Sequence, residues 1–140
     1  RPAVDVANKK VVELGCGLSL CGLAFRALAF RALGASSVVL TNREPYALQC
    51  AMATADVNGL LDDNGEGCPR LTAALLDWDD GEERMLEATG GPADVVIGSD
   101  VLYDREGVKG LARACLILIG RGKSTTEQRC EGGTILISDP

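Results

Sequence analysis

The chain has 140 residues, a hydrophobic content of 46% and a formal net charge of −6. Its length fits one domain with a packed core, and its negative charge, without dense basic clusters, argues against a nucleic acid partner. No apolar run reaches the roughly 20 residues of a membrane span, so no membrane partner is expected either. The chain has no histidine, which excludes Ser-His-Asp, Cys-His and HExxH chemistry.

Cysteine spacing bears on metal binding and on the cellular compartment. Six cysteines are scattered along the chain without a Cys-x-x-Cys pair. Together with the missing histidine, this spacing does not suit zinc, and we expect no metal site. Several cysteines fall within apolar patterns, which favours reduced, mostly buried thiols in a cytoplasmic protein.

Apolar runs and helical periodicities alternate along the chain, and this alternation predicts strands and helices in turn. Five strands are predicted, at Val11–Leu14, Val38–Thr41, Leu71–Leu76, Val95–Gly98 and Thr134–Ser138. Nearly continuous apolar strands between helices indicate a parallel sheet that is covered on both faces.

Four helices are predicted between the strands. The first follows the first strand and ends at Gly34, and the second begins at Pro45. The third covers Glu82–Ala88. The apolar positions expected in the core are Leu48, Ala51, Met52 and Ala55 in the second helix, and Val108, Leu111, Ala112, Cys115, Leu116 and Ile119 in the fourth.

The first predicted helix contains a tandem repeat, in which the sequence of Phe25–Ala29 is nearly repeated by Phe30–Leu33. Five extra residues rotate the following helix by roughly 140° and put its apolar face out of phase. Deleting Phe25–Ala29 would restore one face, and we expect it to stabilise the protein by about 1–3 kcal/mol. The alternatives are a longer helix with a bulge, a recent duplication and a gene-model error.

Polar and glycine residues follow the predicted strands. Gly15-Cys16-Gly17 joins the first strand to a helix, and the glycines allow a ligand to approach the backbone. The third glycine of the dinucleotide pattern GxGxxG is absent. Asn42, Asp77-Trp78 and Ser99-Asp100 follow later strands. Since ligands bind at the carboxyl ends of parallel strands, these residues should converge at one edge of the sheet.

Five segments carry a family resemblance. They are Glu13-Leu-Gly-Cys-Gly17, Val39-Leu-Thr-Asn42, Ala47-Leu48, Leu76-Asp-Trp78 and Gly98-Ser-Asp-Val-Leu-Tyr103. Together they resemble the family 16 protein-lysine methyltransferases, which use S-adenosylmethionine, and particularly the plant and algal members. The resemblance implies a Rossmann-like α/β fold of seven strands, of which about five parallel strands with flanking helices are present. Residues 1–140 would then be one methyltransferase domain, truncated at both ends.

The resemblance also implies cofactor contacts. Gly15, Cys16 and Gly17 would cradle the methionine part of the cofactor, and Glu13 would order that turn. Asn42 stands where the family usually has an aspartate that binds the ribose hydroxyls. The remaining contacts are Asp77, Trp78 beside the adenine, and Ser99, whose backbone would line the cofactor.

Asp100 and Tyr103 match the motif on the substrate side, where they would orient the lysine amine as the catalytic pair. Other interpretations of the same residues stay open: Asn42 as a turn or cap residue, Trp78 and Tyr103 as packing residues, and Asp100 as the cap of the next helix. At the level of function, the alternatives are a small-molecule methyltransferase on the same fold and a catalytically silent binding module.

Overall fold

The computed structural model describes residues 6–17, 35–61, 70–102, 105–120 and 133–138. These residues form the five strands β1 (Lys10–Leu14), β2 (Ser37–Asn42), β3 (Arg70–Leu75), β4 (Val95–Ser99) and β5 (Thr134–Ser138). Three helices accompany them, α1 (Pro45–Val57), α2 (Glu82–Thr89) and α3 (Arg105–Leu118). All five predicted strands and three predicted helices are therefore confirmed. The first predicted helix, with its Phe25–Leu33 repeat, lies outside the described residues.

The five strands form one parallel sheet in the order β3-β2-β1-β4-β5. In the register, Glu13 of β1 lies opposite Leu40 of β2 and Ile97 of β4. The chain builds the sheet outward from β1 through β2 to β3, and then returns to the other side of β1 with β4. The strand order thus reverses between β1 and β4, where doubly wound sheets bind their ligands.

Both faces of the central strand β1 are buried, as predicted, whereas the edge strands β3 and β5 are partly exposed. Neighbouring residues of β1 show this most clearly, because Val11 and Val12 are both fully buried but belong to different core clusters. The Val12 cluster includes Met85 of α2 and Leu111 of α3, whereas the Val11 cluster includes Leu48 of α1. Side chains alternate across a strand, so both faces of a central strand that is covered on each side must be apolar.

The expected apolar stripes on the helices are only partly right. The buried residues of α3 are Leu111, Ala114, Cys115, Ile117 and Leu118, with Ile119 just beyond the helix, whereas Val108, Ala112 and Leu116 are exposed. The reason is that Leu111, Ala114, Cys115 and Leu118 follow the spacing i, i+3, i+4, i+7, which defines one helix face. In α1, Ala47, Leu48, Ala51 and Ala55 are buried and Met52 is half-buried.

Among the described elements, β5 pairs only with β4, and it forms one edge of the sheet. Its apolar residues Ile135, Leu136 and Ile137 are each more than a third exposed. Within the described ranges, no helix is both long enough and apolar enough to cross a bilayer. The same ranges contain no cluster of three potential metal-ligating side chains.

Candidate functional site

A cavity of about 560 Å³ opens at the carboxyl ends of β1 to β4. This volume lies within the range of about 300–1,000 Å³ that is typical of small-molecule sites. The cavity is lined by Gly15, Gly17, Asn42, Arg43, Leu76, Asp77, Trp78, Asp79, Asp100, Val101, Glu106, Gly107 and Gly110. It is therefore built from the turns that follow four strands and from the first half of α3. The convergence predicted from the strand ends is confirmed for Asn42, Asp77, Trp78 and Asp100.

The turn after β1 requires glycine for two reasons. Gly15 and Gly17 have φ angles of 64° and 62°, which lie in the left-handed region that disfavours residues with a Cβ. A Cβ on Gly15 would also lie 3.0 Å from Val101 Cγ1 and 3.2 Å from Trp78 Cζ2. Between the two glycines, the Cys16 N–H donates a hydrogen bond to the carbonyl of Thr41, at 2.9 Å. The turn is thus fixed to β2 and presents a bare backbone to the cavity.

Glu13 and Cys16 do not line the cavity, although both were predicted to take part in the cofactor turn. Glu13 is 3% exposed and Cys16 is 7% exposed. Burial, together with the nearby charge of Glu13, raises the pKa of the Cys16 thiol to about 11, and a hydrogen bond with the Asn42 side chain opposes this rise. The thiol therefore stays protonated at neutral pH. Both residues are buried next to the glycine turn and outside the cavity.

Asn42 is a turn residue, as one interpretation of the sequence has it, and it also lines the cavity. Its Oδ1 accepts a hydrogen bond from the Glu44 N–H at 2.9 Å, which is an Asx turn leading into α1. Asn42 also lines the cavity, and its side chain bonds to the Cys16 thiol. Its backbone carbonyl accepts from the Leu76 N–H at 3.1 Å. The end of β2 is therefore tied to the turns that follow β1 and β3.

The turn Asp77–Asp80 follows β3 and carries Trp78 into the cavity wall. Its own carboxylates shape it: the Asp77 N–H donates to Asp80 Oδ2 at 2.9 Å, and the Asp79 N–H donates to Asp77 Oδ1 at 3.0 Å. Arg84 of α2 adds an ion pair with Asp80 Oδ1 at 3.1 Å. Trp78 is half-buried and packs against the core cluster that contains Val12 and Leu111. It thus combines packing with a position in the cavity wall.

Asp100 lies at the cavity directly after β4, and its backbone is unusual. Its φ angle of 55° is left-handed, a conformation that aspartate tolerates better than most residues. The Asp100 N–H donates to the carbonyl of Ser138 in β5 at 2.9 Å. Because α3 begins at Arg105, Asp100 lies too far upstream to cap it. Ser99, inside β4, does not line the cavity, and Tyr103 lies outside the described residues.

Part of the cavity wall was not predicted from the sequence. The additional lining residues are Arg43, Leu76, Asp79, Val101, Glu106, Gly107 and Gly110. A usable signal was the pair Gly107 and Gly110, since two glycines three residues apart leave one face of a helix bare. The lining contains four acidic residues and one basic residue, Arg43, and this excess of negative charge favours a cationic ligand.

The chain matches a known protein family. A family model described as lysine methyltransferase matches residues 1–125. Among curated proteins, none matches the chain significantly.

Solved structures share the fold. The ribosomal protein L11 methylase from Lactobacillus delbrueckii subsp. bulgaricus is 18% identical with a TM-score of 0.55, over 83% of this chain and 48% of that one. An alcohol dehydrogenase zinc-binding domain protein from Burkholderia ambifaria is 15% identical with a TM-score of 0.51, over 97% of this chain and 34% of that one. This chain thus spans about half of the first protein and a third of the second. At these identities the likeness establishes the Rossmann-like α/β fold alone.

Proposed function

Because the chain belongs to the lysine methyltransferase family, we propose that it binds S-adenosylmethionine and transfers the methyl group to a lysine side chain of a protein substrate. The observation that carries this proposal is the cavity at the carboxyl ends of β1 to β4. Six of the residues that the family resemblance assigns to cofactor or substrate meet there: Gly15, Gly17, Asn42, Asp77, Trp78 and Asp100.

The residues present fit this cofactor. The left-handed turn at Gly15 and Gly17 leaves backbone free of side chains, which suits the close approach of the methionine part. Trp78 places an aromatic side chain in the same wall, against which an adenine ring can pack. The Asn42 amide can donate a hydrogen bond to a ribose hydroxyl or accept one from it. The acidic lining suits the positive charge of a sulfonium.

The chain's own residues have a limited chemical task. When bound, the cofactor supplies a methyl group on a positively charged sulfur, and this charge also disfavours a protonated amine nearby. The Asp100 carboxylate, at the cavity beyond β4, accepts a hydrogen bond from the substrate amine and so aligns its lone pair. The family resemblance gives Tyr103 the same positioning task. The amine's proton leaves to solvent, so no strong base is needed.

The state of Cys16 suits this chemistry. A thiolate close to the glycine turn would be a competing nucleophile for a methyl group. Burial raises the Cys16 pKa to about 11, so the thiol is neutral at physiological pH. The two glycines that flank Cys16 line the cavity, whereas Cys16 is buried and does not line it.

Label transfer tests the proposal. The full-length protein is incubated with methyl-labelled S-adenosylmethionine and a cell lysate, and the label is followed in proteins and in metabolites. We expect labelled protein that yields methyllysine on hydrolysis, and a large loss of label with Asp100→Gly, which removes the acceptor. Label in metabolites alone would replace the lysine substrate by a small molecule. Cofactor binding without any transfer would indicate a silent binding module.

The cytoplasmic location stays a prediction. The three described cysteines Cys16, Cys50 and Cys115 are free thiols, which supports a reducing compartment. Fractionation of cells that produce the full-length protein tests this, and recovery from a secreted or membrane fraction would contradict it.

A further inference from the structure

Gly110 lies in the middle of α3, where glycine weakens a helix relative to alanine. The structure gives a reason for a glycine at this position. A Cβ on Gly110 would lie 3.3 Å from Trp78 Cβ and 3.3 Å from Asp79 Oδ1, closer than ordinary van der Waals contact. The turn Asp77–Asp80 therefore lies directly on the helix at Gly110, and any side chain there would push the turn away.

Arg113 holds the same turn by hydrogen bonds. It follows Gly110 by three residues and so lies on the same side of α3. Its Nη1 donates to the carbonyl of Trp78 at 3.2 Å and to the carbonyl of Asp80 at 2.8 Å. One cationic group thus joins two carbonyls of a single turn, and bonds from a charged donor are stronger than neutral ones. Leu111 and Ala114, both buried, anchor this part of α3 in the core.

Trp78 is confined from the opposite side by the glycine turn. Its Cζ2 atom lies 3.2 Å from the position that a Cβ of Gly15 would occupy. The tryptophan therefore lies between α3 and the turn after β1. Its place in the cavity wall depends on how closely α3 holds the turn Asp77–Asp80.

We propose that Gly110 and Arg113 are positioning residues of the cofactor site, which set the distance between α3 and the turn Asp77–Asp80 and thereby hold Trp78 against Gly15. The proposal rests on the proposed function in one respect, since it takes S-adenosylmethionine as the ligand. Arg113 itself does not line the cavity, so its effect on binding must pass through Trp78.

Gly110→Ala separates positioning from stability. Alanine strengthens a helix interior relative to glycine, and this gain offsets the crowding of the turn, so we expect little change in the melting temperature of the full-length variant. The new Cβ displaces Trp78, and we expect S-adenosylmethionine to bind about threefold to tenfold more weakly, the effect of losing one typical contact. An affinity loss without a matching loss of stability is not expected of a residue with a structural role alone.

Arg113→Ala tests the hydrogen bonds, and Lys109→Ala is its matched control. Lys109 is an exposed cation on the same helix, so its replacement causes the same change in charge without touching the turn. We expect Arg113→Ala to weaken S-adenosylmethionine binding about threefold to tenfold, Arg113→Lys to restore part of the affinity, and Lys109→Ala to match the wild type. All affinities come from calorimetric titration of the full-length protein.

Fluorine NMR reports the position of Trp78 without any ligand. The protein is labelled with fluorotryptophan, and the Trp78 resonance is assigned by its loss in Trp78→Phe. We expect it to shift in Gly110→Ala and Arg113→Ala and to stay unchanged in Lys109→Ala. Unchanged resonances in both site variants, or an equal loss of affinity in Lys109→Ala, would overturn the proposal. If the wild type does not bind S-adenosylmethionine, the proposed function fails, while the resonance still decides whether α3 positions Trp78.

Discussion

Gly15→Ala is the substitution whose cost the structure defines best. Two effects should add at this position. Alanine at a φ of 64° pays for a left-handed backbone, which costs about 1–2 kcal/mol. Its Cβ would lie 3.0 Å from Val101 Cγ1 and 3.2 Å from Trp78 Cζ2, and crowding of this kind in a packed region costs about 1–3 kcal/mol. We therefore expect a total loss of about 2–5 kcal/mol in the free energy of unfolding.

Gly90→Ala is the matched control, because it isolates the backbone effect. Gly90 caps α2 with a φ of 71°, close to that of Gly15. A Cβ there would meet only Lys10 Nζ, at an ordinary contact distance of 3.9 Å. We expect Gly90→Ala to cost about 1–2 kcal/mol and to leave cofactor affinity unchanged. The difference between the two variants then measures the crowding of Trp78 and Val101.

The assay is urea unfolding of the wild type and both variants, combined with calorimetric titration of S-adenosylmethionine. Gly15→Ala should be the less stable variant and should also bind the cofactor more weakly. If it proved no more costly than Gly90→Ala, the close contact of Gly15 with Val101 and Trp78 would be wrong. If its affinity matched the wild type, the glycine turn would not belong to the binding site.

Three further predictions concern single side chains. Asp100→Gly, which removes the hydrogen-bond acceptor but tolerates the left-handed backbone, should lower methyl transfer about tenfold to a hundredfold with little change in cofactor affinity; lost affinity in a titration would make Asp100 structural. Asn42→Asp should tighten cofactor binding, since a carboxylate can keep the Glu44 N–H and also accept from ribose; unchanged or weaker binding would remove Asn42 from the ribose site. Burial raises the pKa of the Cys115 thiol to about 11, from an ordinary value of 9.0. The neutral buried thiol therefore contributes its full stability below pH 9, and this contribution is lost as the pH rises to 11. Relative to Cys115→Ala, the wild type should lose about 2–3 kcal/mol of unfolding free energy over that range; parallel profiles of the two proteins would refute this.

The strands of the sheet could be predicted because the signal for a buried strand lies in neighbouring residues. A strand that is covered on both faces needs apolar residues at consecutive positions, and runs such as Val11–Leu14 and Val95–Gly98 satisfy that need directly. Helix faces were harder to predict. Leu116 is apolar but half exposed, because the face of α3 that packs on the sheet is centred on Leu111 and Leu118. An apolar side chain next to a buried stripe looks like a member of it until the packing partner is known.

The site was predictable to the extent that strand ends determine it. Gly15, Trp78 and Asp100 follow a strand, Asn42 ends one, and parallel strands bring their carboxyl ends together. Ser99 also ends a strand, β4, but unlike Asn42 it does not line the cavity.

The contributions of α3 could not be predicted from strand ends. Gly110 lines the cavity and Arg113 bonds to its wall because the helix packs against the turn Asp77–Asp80, more than 30 residues earlier in the chain. The pair Gly107 and Gly110 indicates a bare helix face, but no local pattern identifies the turn that packs against it. In the sequence, Arg113 looks like an ordinary surface arginine of a helix.

Comparative titration of the full-length protein with S-adenosylmethionine and with NAD tests the central claim most directly. Both ligands occur on Rossmann-like folds, but the turn Gly15-Cys16-Gly17 lacks the third glycine of the dinucleotide pattern, and the cavity wall is acidic. We predict saturable binding of S-adenosylmethionine that Gly15→Ala weakens, and much weaker binding of NAD. NAD binding that equals or exceeds that of S-adenosylmethionine would contradict the account.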